Sequence, residues 1–165
     1  KLHYPFGRTE TEERVYQWPK KVVKIQVYEK LDGTNICIYS YPLQDGSRVV
    51  TFKTRLTPVL KESRFGDFYG MWCEMLEQYQ SLLPPPDVLS GELSMSYELC
   101  GYRNPHLVAY EFGLDITHLF SVKQSDAEVL PPEVPPVYTG TGAADLTILY
   151  EELRIAAGNV NKTID

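Results

Sequence analysis

The stretch "QVYEKLDGTN", residues 26–35, decides how the rest of the chain is read. It follows the run "VVKIQVY" (22–28), which alternates apolar and polar residues at period two. Val23, Ile25 and Val27 then share one face, which predicts a strand. Asp32-Gly33 is a strong hairpin signal, because both residue types tolerate a positive φ. A turn alone explains "LDGT". It does not require a lysine beside it or an asparagine two residues past the glycine.

Working outward, "NICIYSY" (35–41) continues the strand pattern, "PLQDGS" is a turn and "RVVTFKT" (48–54) is a third strand. The three strands are expected to be antiparallel neighbours. From residue 66 the period changes: Phe68, Met71, Trp72, Met75, Leu76, Tyr79, Leu82 and Leu83 recur at helical spacing, with Pro84 to Pro86 as the stop. Such a Met and aromatic stripe reads as core. Strands are expected again at 88–99 and 106–122. Residues 125–142 read as a proline-rich surface connection, and "ADLTILYEELRIAAG" as a last amphipathic helix stopped by Gly158. "GTGAAD" (140–145) lacks the glycine spacing of a phosphate loop and reads as a connector. "KESR" (61–64) reads as a solvated turn. The pattern predicts an α+β fold of largely antiparallel sheets with flanking helices. It forms a single partial domain over 1–165: an N-terminal segment (1–20), a motif-bearing core (21–124), the connection (125–142) and a helix (143–158).

The totals agree with one self-supporting core in 165 residues, 43% of them apolar, with twelve tyrosines and six phenylalanines. The net charge of −6 argues against a non-specific nucleic-acid coat but allows a local basic groove. Cys37, Cys73 and Cys100 are odd in number and far apart, so they read as reduced thiols, and His3, His106 and His118 do not form a metal pair at helical spacing. No long apolar run suggests a membrane span. A cytoplasmic location and no membrane partner are expected. The start at Lys1 without a methionine predicts a processed or shortened product.

The chemistry begins at Lys30. A free lysine amine, with pKa near ~10.4, is protonated and a poor nucleophile. Burial or neighbouring cations lower that value and free it for attack. Gly33 permits close approach to the backbone, and Asp32 and Asn35 suit holding the bend or ordering metal-bound water. This is the equipment for a covalent lysine phosphoramidate.

"EKLDGTN" resembles motif I, Lys-x-Asp/His-Gly-x-x, of the covalent nucleotidyltransferases: ATP-dependent DNA ligases, RNA ligases and mRNA capping enzymes. Glu29 before the lysine, and Thr34 with Asn35 after the glycine, are most similar to RNA ligases of the bacteriophage double-strand-repair type. "TFKTR" (51–55) resembles motif Ia, with Arg55 as its arginine. "SYELCGYRNPHLVAYEFGLDI" (96–116) resembles motif III running into motif IIIa, with Glu98 as the motif III carboxylate. Glu92 in "GELS" is the rival, but "ELCGYRNPH" is the closer match. Where motif IIIa carries an aromatic to stack on the purine, this chain has Leu114, and Phe112, two residues earlier on the same strand face, is the candidate ring.

The resemblance covers roughly residues 20–120. It implies an adenylyltransferase domain, of the ATP-grasp-like ligase kind, incomplete at its C-terminus. Motif IV, whose glutamate serves the metal, and the Lys-x-Lys of motif V are not in the sequence, so the metal ligand is unassigned. The implied activity is ATP- and Mg²⁺-dependent RNA ligation. Lys30 would take AMP and pass it to a 5′-phosphate end, the partners being RNA ends or a nicked duplex. Glu29 would lie at the adenine edge, Asp32, Gly33 and Asn35 would shape the bend, Arg55 and Glu98 would hold ribose or the incoming end, and Phe112 would stack. DNA ligase, capping guanylyltransferase and a non-catalytic nucleotide- or RNA-binding module are the alternatives. A plain α+β interaction domain whose hairpin mimics motif I is the blandest.

Overall fold

The computed structural model describes residues 23–64, 66–79 and 86–141, with 149, 151, 152 and 155. It is a mixed structure of helices and antiparallel sheets, the α+β class expected. Two compact units are distinguished, residues 30–135 and residues 1–29 with 136–165.

The second unit is described through β1 (Lys24–Val27) and β9 (Tyr138–Thr141), which pair antiparallel with Ile25 opposite Gly140. This corrects the expectation that β1 would neighbour β2 (Thr34–Pro42). The reason lies in the Asp-Gly step. Gly33 is not among the residues with positive φ, so residues 32–33 do not form the primed turn that a two-residue hairpin needs. Their backbone N–H groups bond elsewhere, as described below. The expected connection at 125–142 also holds structure: besides β9 it contains β8 (Val129–Leu130). Residues 149, 151, 152 and 155 are helical. The rest of the last helix, most of "GTGAAD" and the N-terminal segment lie outside the described residues.

The 30–135 unit is built on a five-stranded antiparallel sheet in the order β3-β2-β6-β7-β8. β3 is Arg48–Lys53, β6 Leu93–Cys100 and β7 Asp115–Lys123. β2 and β3 make the predicted hairpin, turning at Gly46 with φ +83°, where the Asp45 carboxylate accepts from the Ser47 N–H and hydroxyl. "KESR" contributes Glu62–Ser63 (β4) to a two-residue ladder with Gly66–Asp67 (β5). Asp67 then caps α1 (Phe68–Gln78), its side chain accepting from the Gly70 N–H at 2.9 Å.

α1 follows the predicted period and lays Trp72 and Met75 on the sheet, where both are buried. The core of Ile36, Ile38, Trp72, Met75, Val88 and Leu99 has at most about 1% exposure. A row of rings crosses it, Phe52–Trp72–Tyr97–His118, with centroids 5.4–5.8 Å apart. The second correction is at residue 88, where a strand was expected. Pro86–Ser90 is a short helix, α2, and β6 starts at Leu93. Proline fits the first turn of a helix, whose N–H groups have no partner in any case, so Pro86 opens this element; α1 ends earlier, at Gln78 with Tyr79 as its C-cap, and Leu82, Leu83 and Pro84 lie outside the described residues. Likewise the strand expected from 106 begins only at Asp115, and residues 101–114 are a loop. No helix among the described residues is long and apolar enough to cross a membrane.

Candidate functional site

At one end of the sheet, the start of β2 and the end of β6 bring together residues separated by more than sixty positions. The register sets Thr34 opposite Leu99 and Asn35 opposite Glu98. Alternation along a strand puts Ile36, Ile38, Tyr97 and Leu99 on the core side and therefore Asn35 and Glu98 together on the other face. Asn35 donates its side-chain N–H to the Tyr97 carbonyl at 3.2 Å, which fixes it to β6. The β2–β3 register pairs Cys37 with Lys53, where the ladder ends. Two further steps would bring position 55 opposite Asn35. Arg55 itself is exposed in the bend after β3, at this same end of the sheet.

Glu98 is half-buried, and burial pushes its carboxyl above the usual glutamate range. A hydrogen bond from the Gly33 backbone N–H, with the charges of Lys30 and His106, pulls it back, while Asp32 pushes it further up. Lys30 is exposed, so its amine is open to solvent while its charge still acts on Glu98. Gly33 is demanded by packing. A Cβ there would meet the Leu99 carbonyl oxygen at 2.3 Å, so the close approach it permits is that of β6 itself. Glu29 is exposed and belongs to the β1–β9 unit.

Asp32 holds the bend on three sides. Its N–H donates to the Tyr110 hydroxyl at 2.9 Å, its Oδ2 accepts from the Val108 N–H at 2.8 Å, and its Oδ1 lies 3.8 Å from His106 Nδ1. Thr34 Oγ1 is 3.3 Å from His106 Nε2 and accepts from Asn104 Nδ2 at 3.0 Å. Asn104, His106, Val108 and Tyr110 had no role in the sequence reading. The signal was "YRNPH", a polar Asn-Pro turn between two strands, a composition suited to side chain to backbone bonding. Phe112 packs against Tyr110 with centroids 4.9 Å apart and is 43% exposed. It sits in the 101–114 loop, not on the strand face expected for it. Leu114 packs against the core. Cys100, beneath the bend, is buried, and its thiol is pushed up to about 11 by burial, the direction expected of a structural thiol.

No family model, curated protein or solved structure matches the chain. The likeness to nucleotidyltransferases thus stands on the motif residues alone.

The rival carboxylate, Glu92, lies at the opposite end of β6. It lines a cavity of about 510 Å³ with Asp87, Leu93, Lys123, Gln124 and Leu130. Glu98, not Glu92, adjoins the Lys30 bend. Among the described residues no group of three or more His, Cys, Asp or Glu is placed to hold a metal ion. Asp32 and Glu98 are already engaged by backbone N–H groups.

Proposed function

We propose that this chain carries the adenylyltransferase half-site of an ATP-dependent RNA ligase. One observation supports the reading. The stretches that resemble motifs I, Ia and III run into β2, out of β3 and along β6, neighbours in one sheet, and the Lys30 charge acts on Glu98. In the proposed reaction the Lys30 amine, after losing a proton to solvent, attacks the α-phosphorus of ATP. The Nζ–P bond forms as the bond to the β-phosphate oxygen breaks, and pyrophosphate leaves. The lysine-bound AMP is then transferred to a 5′-phosphate RNA end, and a 3′-hydroxyl displaces AMP to seal the strand. Glu98 and Arg55 would hold ribose or the incoming end and Phe112 the base. Magnesium enters with the triphosphate as part of the substrate, and no step is assigned to a protein-held ion.

Incubation of the full-length protein with α-labelled ATP and magnesium is expected to give covalent label that Lys30→Ala abolishes. Equal labelling of parent and mutant removes Lys30 from the chemistry. Preference for GTP would mark a capping guanylyltransferase, and sealing of nicked DNA but not RNA a DNA ligase.

The exposure of Lys30, which leaves its amine in solvent, favours a second reading, a nucleotide- or RNA-binding module of this fold without transfer chemistry. Saturable ATP binding by the full-length protein with no covalent label would select it.

A further inference from the structure

We infer that the loop 101–110 is a strap holding the 32–34 bend against β6, and that His106 is the positioning residue pinning it between Asp32 and Thr34. Only the catalytic consequence rests on the proposed role of Lys30; the strap itself does not.

The strap is closed at its base. Gly101 has φ +132°, and a Cβ there would meet the Gly113 carbonyl oxygen at 2.1 Å. The Tyr102 and Arg103 N–H groups donate to Phe112 and Gly113 carbonyls at 3.0 and 3.1 Å. Arg103 also grips Glu74 of α1 with two hydrogen bonds of 2.6 and 2.9 Å. A loop so anchored presents a fixed tip. Asn104, 4% exposed, links the Leu99 carbonyl, at 2.8 Å, to Thr34 Oγ1. Val108 and Tyr110 engage the carboxylate and the N–H of Asp32. Among the described residues His106 alone reaches both flanks of Gly33, with one ring nitrogen toward Asp32 and the other toward Thr34.

Gly33 has no side chain through which to be held. Its N–H can face Glu98 only if its two neighbours are fixed, and these are the residues His106 touches. Because His106 is exposed at the surface, its removal leaves no core cavity, so a change at the bend can be read without general unfolding. Loosening the bend displaces Lys30 relative to Glu98 without removing any group proposed to touch nucleotide. The cost should therefore fall on the rate of transfer rather than on ATP affinity.

The test uses the full-length protein with His106→Ala, His106→Gln and Lys30→Ala, read by hydrogen–deuterium exchange over residues 31–35 and by labelling with α-labelled ATP. His106→Ala should speed exchange of the bend amides by about tenfold, the scale of one lost hydrogen bond. It should slow labelling at saturating ATP comparably, with half-saturation unchanged. His106→Gln, which keeps a hydrogen-bonding group toward Thr34, should recover most of both. Lys30→Ala should leave exchange at parental values. Parental exchange in His106→Ala overturns the strap, as does a shift confined to half-saturation. If the parent never labels, the ligase reading fails, and the exchange result still decides the strap.

Discussion

The two ends of β6 are made of similar residues put to different use. At the Leu93 end, Asp87, Glu92 and Lys123 surround an open cavity, and Lys123 pairs with Glu128 of its own hairpin. At the Cys100 end, Asp32, Thr34, Asn104, His106 and Tyr110 interlock across 70 to 78 positions of sequence. Local pairing is what exposed charges do at any turn and contributes little. Polar bonds between distant segments must repay loop-closure and side-chain entropy. The Cys100 end thus has the character of a built site.

The largest test of that contrast is a methyl group placed at each end. Gly33→Ala drives a Cβ to 2.3 Å from the Leu99 backbone oxygen, whereas Gly91→Ala meets the movable end of the Arg48 side chain. The first should cost about 3 kcal/mol, the upper range for overpacking. The second should cost about 1 kcal/mol, the strain of an alanine at a positive φ, here +86°. Urea melts measure both, and equal losses would remove the distinction.

Next in size is Asn104→Ala, which leaves the Leu99 carbonyl and the Thr34 hydroxyl without their shared partner. A loss of about 2 kcal/mol is expected, together with faster amide exchange over residues 31–35.

Two pH effects of opposite sign follow. Glu98 titrates above its ordinary range, so the folded state binds its proton more tightly than the unfolded chain. Its ionisation therefore subtracts stability as pH rises from the unfolded value through the folded one. Glu98→Gln should raise Tm at neutral pH, with the gain disappearing below the carboxylate range. His118, between Tyr97 and Ser121, is held below its ordinary value by burial. Its Nδ1 accepts from the Glu133 N–H at 3.2 Å, a bond that protonation destroys. Stability on its account is complete above the unfolded histidine value and is lost as pH falls through the folded one. A His118→Asn variant should flatten the acid limb of a Tm–pH profile.

The smallest effect is expected at the cavity end. Lys123→Ala removes only an exposed pair, and thermal melts should show no measurable change.

Sequence reading was strongest where the signal is periodic. The β2–β3 hairpin and the buried face of α1 follow directly from alternation and from the spacing of Trp72 and Met75. It failed where one residue type serves two geometries. Asp32-Gly33 was read as a hairpin turn, but Gly33 is there because β6 leaves no room for a side chain. Pro86 reads as a stop, but α1 ends at Gln78 and Pro86 opens α2. At the candidate site, Lys30, Asp32 and Glu98 stand out in the sequence because their residue types and spacing resemble a known motif. Asn104, His106, Val108 and Tyr110 do not, because nothing in one sequence reports contacts that exist only after β6 and the 101–114 loop have folded back on residue 32.

That dependence orders the folding of the molecule. The β2–β3 hairpin closes over a handful of residues and can form early, while the frame around Lys30 must wait for a segment some seventy residues downstream. A nascent chain that has emerged only as far as residue 100 already carries the lysine but not its surroundings. Ordering of the 32–34 bend beside Lys30 is therefore expected among the last events of folding.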